Sequence, residues 1–308
     1  MLNIPLGIGL FFAGYICLPK QGPKEVHGSF DITGAVLFGV ALTFLVIAVS
    51  SIRAFGLQAM MTLSLIIFTF AFWTLAIVYE RCTENPALDF TLFANPHFTN
   101  ANISLIILKM VFNGPVILYP FYLHLVLGYS YELASLMLVV PGVAMLITCP
   151  VAGSLSDRFG SRPLCIAGAG VAAVVFFGFA AMTTTIALPL VVASLALLGF
   201  ARGIFLVPNS RLILDHSPND KKGAASGIMK APSNSGITFG VVFFQVAFAE
   251  TILAGEAVAE LEDAFTLPVV SLVPGFHAAF VIATALCVIA MVFSWKARDL
   301  DQAAQTRQ

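Results

Sequence analysis

With 308 residues, 59% of them hydrophobic and only 10% charged, and a mean hydropathy of +0.96, the chain carries more apolar surface than a soluble fold can bury. Its formal net charge of -1 offers no basic surface for nucleic acid. The cysteines (Cys17, Cys82, Cys149, Cys165, Cys287) form no CxxC pair and lie mostly within apolar runs. They read as small hydrophobes, so no metal site, disulfide framework or cofactor is expected.

A bilayer core of roughly 30 Å takes about 20 mostly apolar residues per helix. The first such run, 2–18, lacks the positive n-region and small-residue cleavage site of a signal peptide, and bulky Tyr15 and Ile16 before Cys17 break a lipoprotein box. It reads as a helix whose beginning is missing. The runs 32–51, 57–78, 98–126, 132–155, 163–182, 188–208, 223–250 and 275–295 follow. The expectation is an all-α integral membrane protein of about nine transmembrane helices, forming one membrane-embedded unit.

Lys and Arg orient these spans, because they concentrate on the cytoplasmic side. If the first helix starts outside, Lys20, Lys24, Arg81, Arg158, Arg162, Arg211, Lys221, Lys222, Lys296, Arg298 and Arg307 all fall inside, and only Arg53 lies opposite. The C-terminus is then cytoplasmic. The acidic stretch AETILAGEAVAELEDAF falls outside, where a solvated loop with a short helix is favoured over a substrate-recruiting patch.

Between the fifth and sixth spans runs GSLSDRFGSRP, residues 153–163. It resembles the loop signature of the major facilitator superfamily, G-x-L-x-D-R-x-G-x-R/K, with Gly153, Leu155, Asp157, Arg158, Gly160 and Arg162 matching in register. Gly160 permits a turn closed to other residues. Asp157 can pair with an arginine or accept bonds at a neighbouring helix N-terminus. Such a latch holds one face closed and must break for a change of state, so these residues are conformational rather than substrate-binding.

NIPLGIG near the start, the paired helices after it, ERCTENPALDFTLFANPHF, and GAASGI near Ala225 look like the fourteen-helix drug:proton antiporters of that superfamily. The resemblance implies a superfamily-type helix bundle whose N-terminal half is incomplete, with family helices six to fourteen present. Residues 1–18 would be the last helix of the N-terminal half. Residues 19–97 would hold two linker helices and cytoplasmic loops, 98–296 the C-terminal six-helix bundle, and 297–308 a cytoplasmic tail. The absent helices carry the first-half loop signature and the antiporter signature of the family.

Every acid falls in a loop or near a helix end, so no buried carboxylate is evident as a proton carrier. Intramembrane cations are informative, because a mid-helix Lys or Arg costs roughly 2.5–3.5 kcal/mol on insertion scales. On the fourth span Asn102, Lys109, Asn113 and His124 fall on one stripe at about 100° per residue, with His124, near the outer end, read as a wetted structural histidine. Lys109 and Asn113 are read as lining a central cavity, against a snorkelling lysine, with Gly114, Pro115 and Pro120 loosening the helix. Arg202, Lys230 and Asn234 are further candidates for the cavity or for contact between halves, each of the two cations also able to snorkel. Gly223/Gly227 and Gly236/Gly240 have the spacing of close helix packing.

The histidines (His27, His97, His124, His216, His277) are scattered without ligand spacing, and no nucleophile–base cluster points to an enzyme. The resemblance implies a multi-pass inner (plasma) membrane efflux transporter working by proton-coupled antiport and alternating access. Its partners would be a small amphipathic or drug-like substrate, protons and the lipid bilayer. The alternative is an inactive fragment, or a half-transporter needing a separate N-terminal polypeptide.

Overall fold

The computed structural model describes residues 31–55, 60–83, 90–181, 186–255 and 269–299, with isolated helical positions between residues 4 and 16. The expected first span, the acidic stretch and the C-terminal tail therefore lie largely outside the described residues. Among those residues, eight helices are long and apolar enough to cross a membrane.

Helices α1 (Ile32–Phe55) and α2 (Met60–Cys82) pack on each other through Phe44 stacked on Phe72 and Phe38 edge-on to Trp73, each pair with centroids 5.0 Å apart. The pair is also pinned at one end, where Tyr79 donates to Asp31 Oδ1 at 3.2 Å. Its main contact with the remaining helices is through α8, below.

α3 (Pro96–Asn113) starts on Asn95, whose side chain accepts from the His97 amide, with Pro96 pre-set for the first turn. At Pro115, which has no N–H to donate, the ladder tightens to a 3-10 turn (Pro115–Ile117) and then widens to a π turn (Tyr122–Val126) before the span ends. The next span joins α4 (Tyr131–Met137), capped by Ser130, to α5 (Val139–Phe159). α6 (Ser161–Ala181), α7 (Leu188–Asp215), α8 (Lys222–Gly255) and α9 (Val269–Lys296) complete the order.

One end of the bundle gathers the start of α3 and the ends of α7 and α9. His97 Nδ1 lies 3.2 Å from the Lys296 carbonyl, and its ring is 5.4 Å from that of His216. The 153–163 loop is at this same end, since the Ser161 amide donates to Asp299 just beyond α9. It is called the loop end below.

The π turn beyond α3 shares a buried aromatic core with α6 and α9, in which Phe179, Phe276 and Phe280 surround Tyr122, with Tyr122 and Phe280 centroids 5.4 Å apart. Small residues bring the backbones together around it. A Cβ on Gly240 of α8 would lie 2.5 Å from the Met110 carbonyl of α3, and one on Gly168 of α6 would lie 2.9 Å from the Ala201 carbonyl of α7. Gly236 and Gly240 both serve the α3–α8 seam, whereas Gly223 meets nothing within 4 Å. Large apolar side chains such as Phe70, Leu146 and Val174 remain exposed, as on a surface whose solvent is lipid.

The span expected to stop at Pro208 runs on to Asp215. Proline removes one N–H but does not end a membrane helix whose neighbours satisfy the freed backbone. Arg211 therefore lies in a helix, and Arg202 sits 13 residues, more than three turns, before its last residue.

Candidate functional site

The loop motif lies at the α5–α6 junction. Gly160 adopts φ 83°, ψ 165°, a conformation essentially reserved for glycine, so α5 stops and α6 begins without an intervening strand of loop. Asp157, on the last turn of α5, forms an ion pair with Arg211 of α7, and Arg211 also reaches Asp215 one turn on, Nε to Oδ2 at 3.4 Å. The N-terminus of α6 is held by a different acid. Asp299 accepts from the Ser161 amide at 3.0 Å and the Arg162 amide at 3.3 Å, where the exposed amides and the positive end of the helix dipole favour a carboxylate.

Arg162 stacks over Trp295 of α9 with its guanidinium carbon 5.8 Å from the ring centroid. The Ser156 and Ser161 hydroxyls close the turn at 2.8 Å. Of the remaining motif positions, Gly153 and Leu155 are partly buried and Arg158 is exposed. Neither Asp299 nor Arg211 belongs to the six motif positions read from the sequence. Both are single charges just beyond a recognisable pattern, and only the folded chain shows what they touch.

The second constellation lies about 20 Å into the bundle from the loop end, counting 1.5 Å per residue from Pro96 to Lys109 and from Asp215 back to Arg202. Arg202 of α7 donates from Nη2 to Asn113 Oδ1 of α3 at 3.2 Å, and Asn113 donates in turn to the Lys109 carbonyl at 2.7 Å. Phe112 lies beneath the guanidinium, 5.9 Å from ring centroid to Cζ. Lys109 and Arg202 are half-buried, whereas Lys230 and Asn234, one turn apart on α8, are exposed. α8 passes beside Lys109, where a Cβ on Gly236 would lie 3.6 Å from the Lys109 Cβ. His124 lies beyond the change of helical period at Pro115, with its Nδ1 2.7 Å from the Tyr129 carbonyl and its ring stacked on Tyr131. Asn102 is buried and bonded to the Phe98 carbonyl of its own helix.

The structure thus brings Lys109, Asn113 and Arg202 together, with α8, which carries Lys230 and Asn234, alongside. Among the described residues no three His, Cys, Asp or Glu side chains gather as metal ligands.

A family model described as Major Facilitator Superfamily matches residues 26–241, more than half of the chain. The chain belongs to this superfamily. This facilitator chain is 28% identical over 96% of its length to the riboflavin transporter RibZ of Clostridioides difficile (strain 630), covering 62% of that protein. It is also 28% identical to the multidrug resistance protein Stp of Mycobacterium tuberculosis (strain CDC 1551 / Oshkosh), over 78% of this chain and 44% of Stp. The quinolone resistance protein NorB of Staphylococcus aureus (strain MSSA476) matches at 28% over 75% of this chain and 50% of NorB. The chain thus spans about half to three-fifths of the length of these curated relatives. Its fold is similar to the crystal structure of a bacterial homolog of the human lysosomal transporter Spinster, inward-facing and occupied, with TM-score 0.53 and 16% identity over 86% of this chain and 64% of that one.

Proposed function

We propose that this facilitator chain forms the C-terminal portion of a fourteen-helix efflux transporter of drugs or other small molecules, working by proton-coupled antiport and alternating access in the inner membrane. The bundle from α3 to α9 is one wall of the substrate path, α1 and α2 are the linker pair, and the loop end with the C-terminus faces the cytoplasm. The observation that carries the reading is the Arg202–Asn113 hydrogen bond at mid-depth, beside Lys109. Polar and cationic groups are expensive at that depth and mark substrate or ion pathways. Relatives named for multidrug and quinolone resistance and for riboflavin transport support a small-molecule cargo.

The loop motif supplies the switch. Asp157–Arg211 and Asp299 on the start of α6 join α5, α6, α7 and α9 at one end, so rocking of these helices has to remake charged contacts there. The test is accumulation of a fluoroquinolone in a pump-deficient bacterium expressing the chain from its own locus. Expression lowers accumulation, a protonophore restores it, and Asn113→Ala and Asp157→Asn each blunt the effect. Equal accumulation with and without correctly inserted protein refutes the proposal.

A further inference from the structure

We infer that the polar face of α3, α7 and α8 selects anionic ligands, such as aromatic carboxylates, over the cations of equal size that an efflux path of this kind could also carry. The inference rests on the reading of this face as the substrate wall and goes beyond it by assigning the charge.

Lys109 of α3 and Arg202 of α7 meet there through Asn113, and α8, which carries Lys230, runs alongside with Gly236 against Lys109. Among the described residues Lys109, Arg202 and Lys230 form no ion pair, and the pairs that Arg211 makes lie at the loop end. Intramembrane cations ordinarily pair with one another's opposites or with backbone carbonyls. Among the described residues the side-chain hydrogen-bond partner of Arg202 is the neutral Asn113, which orients the guanidinium without cancelling its charge. Asn113 is itself fixed by its bond to the Lys109 carbonyl, so the fork is held in place rather than free to swing toward water.

Like charges at short range in a medium of low dielectric repel each other strongly, and an anion entering between them relieves that repulsion while a cation adds to it. The chemistry around the charges suits a flat ligand. Phe112 lies against the guanidinium, and the exposed Asn234 offers both a donor and an acceptor one turn from Lys230. A planar carboxylate meets the flat guanidinium that Phe112 backs and Asn113 orients, with Lys230 and Asn234 exposed on the helix alongside.

The experiment uses two xanthene dyes of similar shape and opposite charge, fluorescein and rhodamine 6G, titrated against the purified chain in lipid nanodiscs, with binding to empty discs subtracted. Fluorescein is expected to bind at least tenfold more tightly. Arg202→Gln, Lys109→Gln and Lys230→Gln each weaken it by about threefold to tenfold and leave rhodamine 6G unchanged or improved. Lys230 is exposed, so its substitution keeps the test sound even if a buried variant fails to fold. Tighter rhodamine 6G binding that responds to these substitutions overturns the charge rule and leaves the face as a substrate wall. Binding of both dyes that ignores all three substitutions overturns the inference together with the proposed function.

Discussion

Gly240 tests whether the α3–α8 seam is as tight as the backbone geometry says. A Cβ there would sit 2.5 Å from the Met110 carbonyl oxygen and 2.7 Å from its Cα, both backbone atoms that no rotamer change can move. Replacing a mid-helix glycine by alanine gains about 1 kcal/mol in helix propensity. Overpacking against a fixed neighbour costs about 1–3 kcal/mol. Gly240→Ala is therefore expected to lose about 1 kcal/mol net, within a factor of two. Gly178, within α6 and with nothing inside 4 Å of its Cβ position, is the matched control, and Gly178→Ala should keep the propensity gain. The two variants differ by about 2 kcal/mol in opposite directions relative to wild type, readable as shifts in the midpoint of SDS unfolding in mixed micelles followed by circular dichroism. If both shift the same way by the same amount, the seam yields freely and the reasoning fails.

Three further outcomes follow from the contacts above. Asp157 and Arg211 are both well exposed, so their pair is worth about 0–1 kcal/mol and Asp157→Asn should shift the ratio of conformers by no more than about fivefold, with the charge-swapped double variant recovering it; double electron–electron resonance across the loop end reads the ratio. Asp299→Ala removes a charged cap from α6 at a cost of about 1–2 kcal/mol and should speed hydrogen exchange at the Ser161 and Arg162 amides; Gly160→Ala, whose Cβ would lie 2.6 Å from Asp299 Oδ2, should be less than additive with it. Ser104 of α3 and Ser294 of α9 share a 2.8 Å hydrogen bond with both side chains fully buried, and a Ser→Ala double-mutant cycle in SDS unfolding should give a coupling of about 0.6 kcal/mol.

What the sequence made legible was set by how local the signal is. Apolar runs of membrane length located the spans, because length and hydropathy are properties of each segment by itself. The glycine in the tight turn was legible too, since Gly160 must take a positive φ wherever α5 meets α6 at this angle. The end of α7 was misread because Pro208 is a stop signal only where the freed carbonyl must turn to water. An angular count that reaches His124 assumes unbroken α-helix, whereas beyond Pro115 the period changes to 3-10 and then π. Asp299 was invisible as a cap because its partners lie on the far side of the fold in sequence, on α6.

The arrangement of α7 explains why the polar face and the loop latch can occupy one helix without interfering. Gly199 and Gly203, one turn apart, seat α7 against α5 at Pro141 and Thr148. Arg202 and Asn209, roughly two turns apart and therefore on one face, instead address α3, Arg202 through Asn113 and Asn209 through the Ala101 carbonyl at 3.2 Å. Arg211 lies about half a revolution from Arg202 and points back to Asp157 on α5. The small residues set how closely α7 and α5 approach, the polar ones fix α7 against α3, and the latch closes α7 on α5 at the loop end. A helix is stiff over this length, so breaking Asp157–Arg211 and tilting α7 away from α5 must also move Arg202 relative to Asn113. A spin label placed near Arg202 should therefore report the Asp157→Asn substitution, and a label that does not move would show that the latch opens without α7.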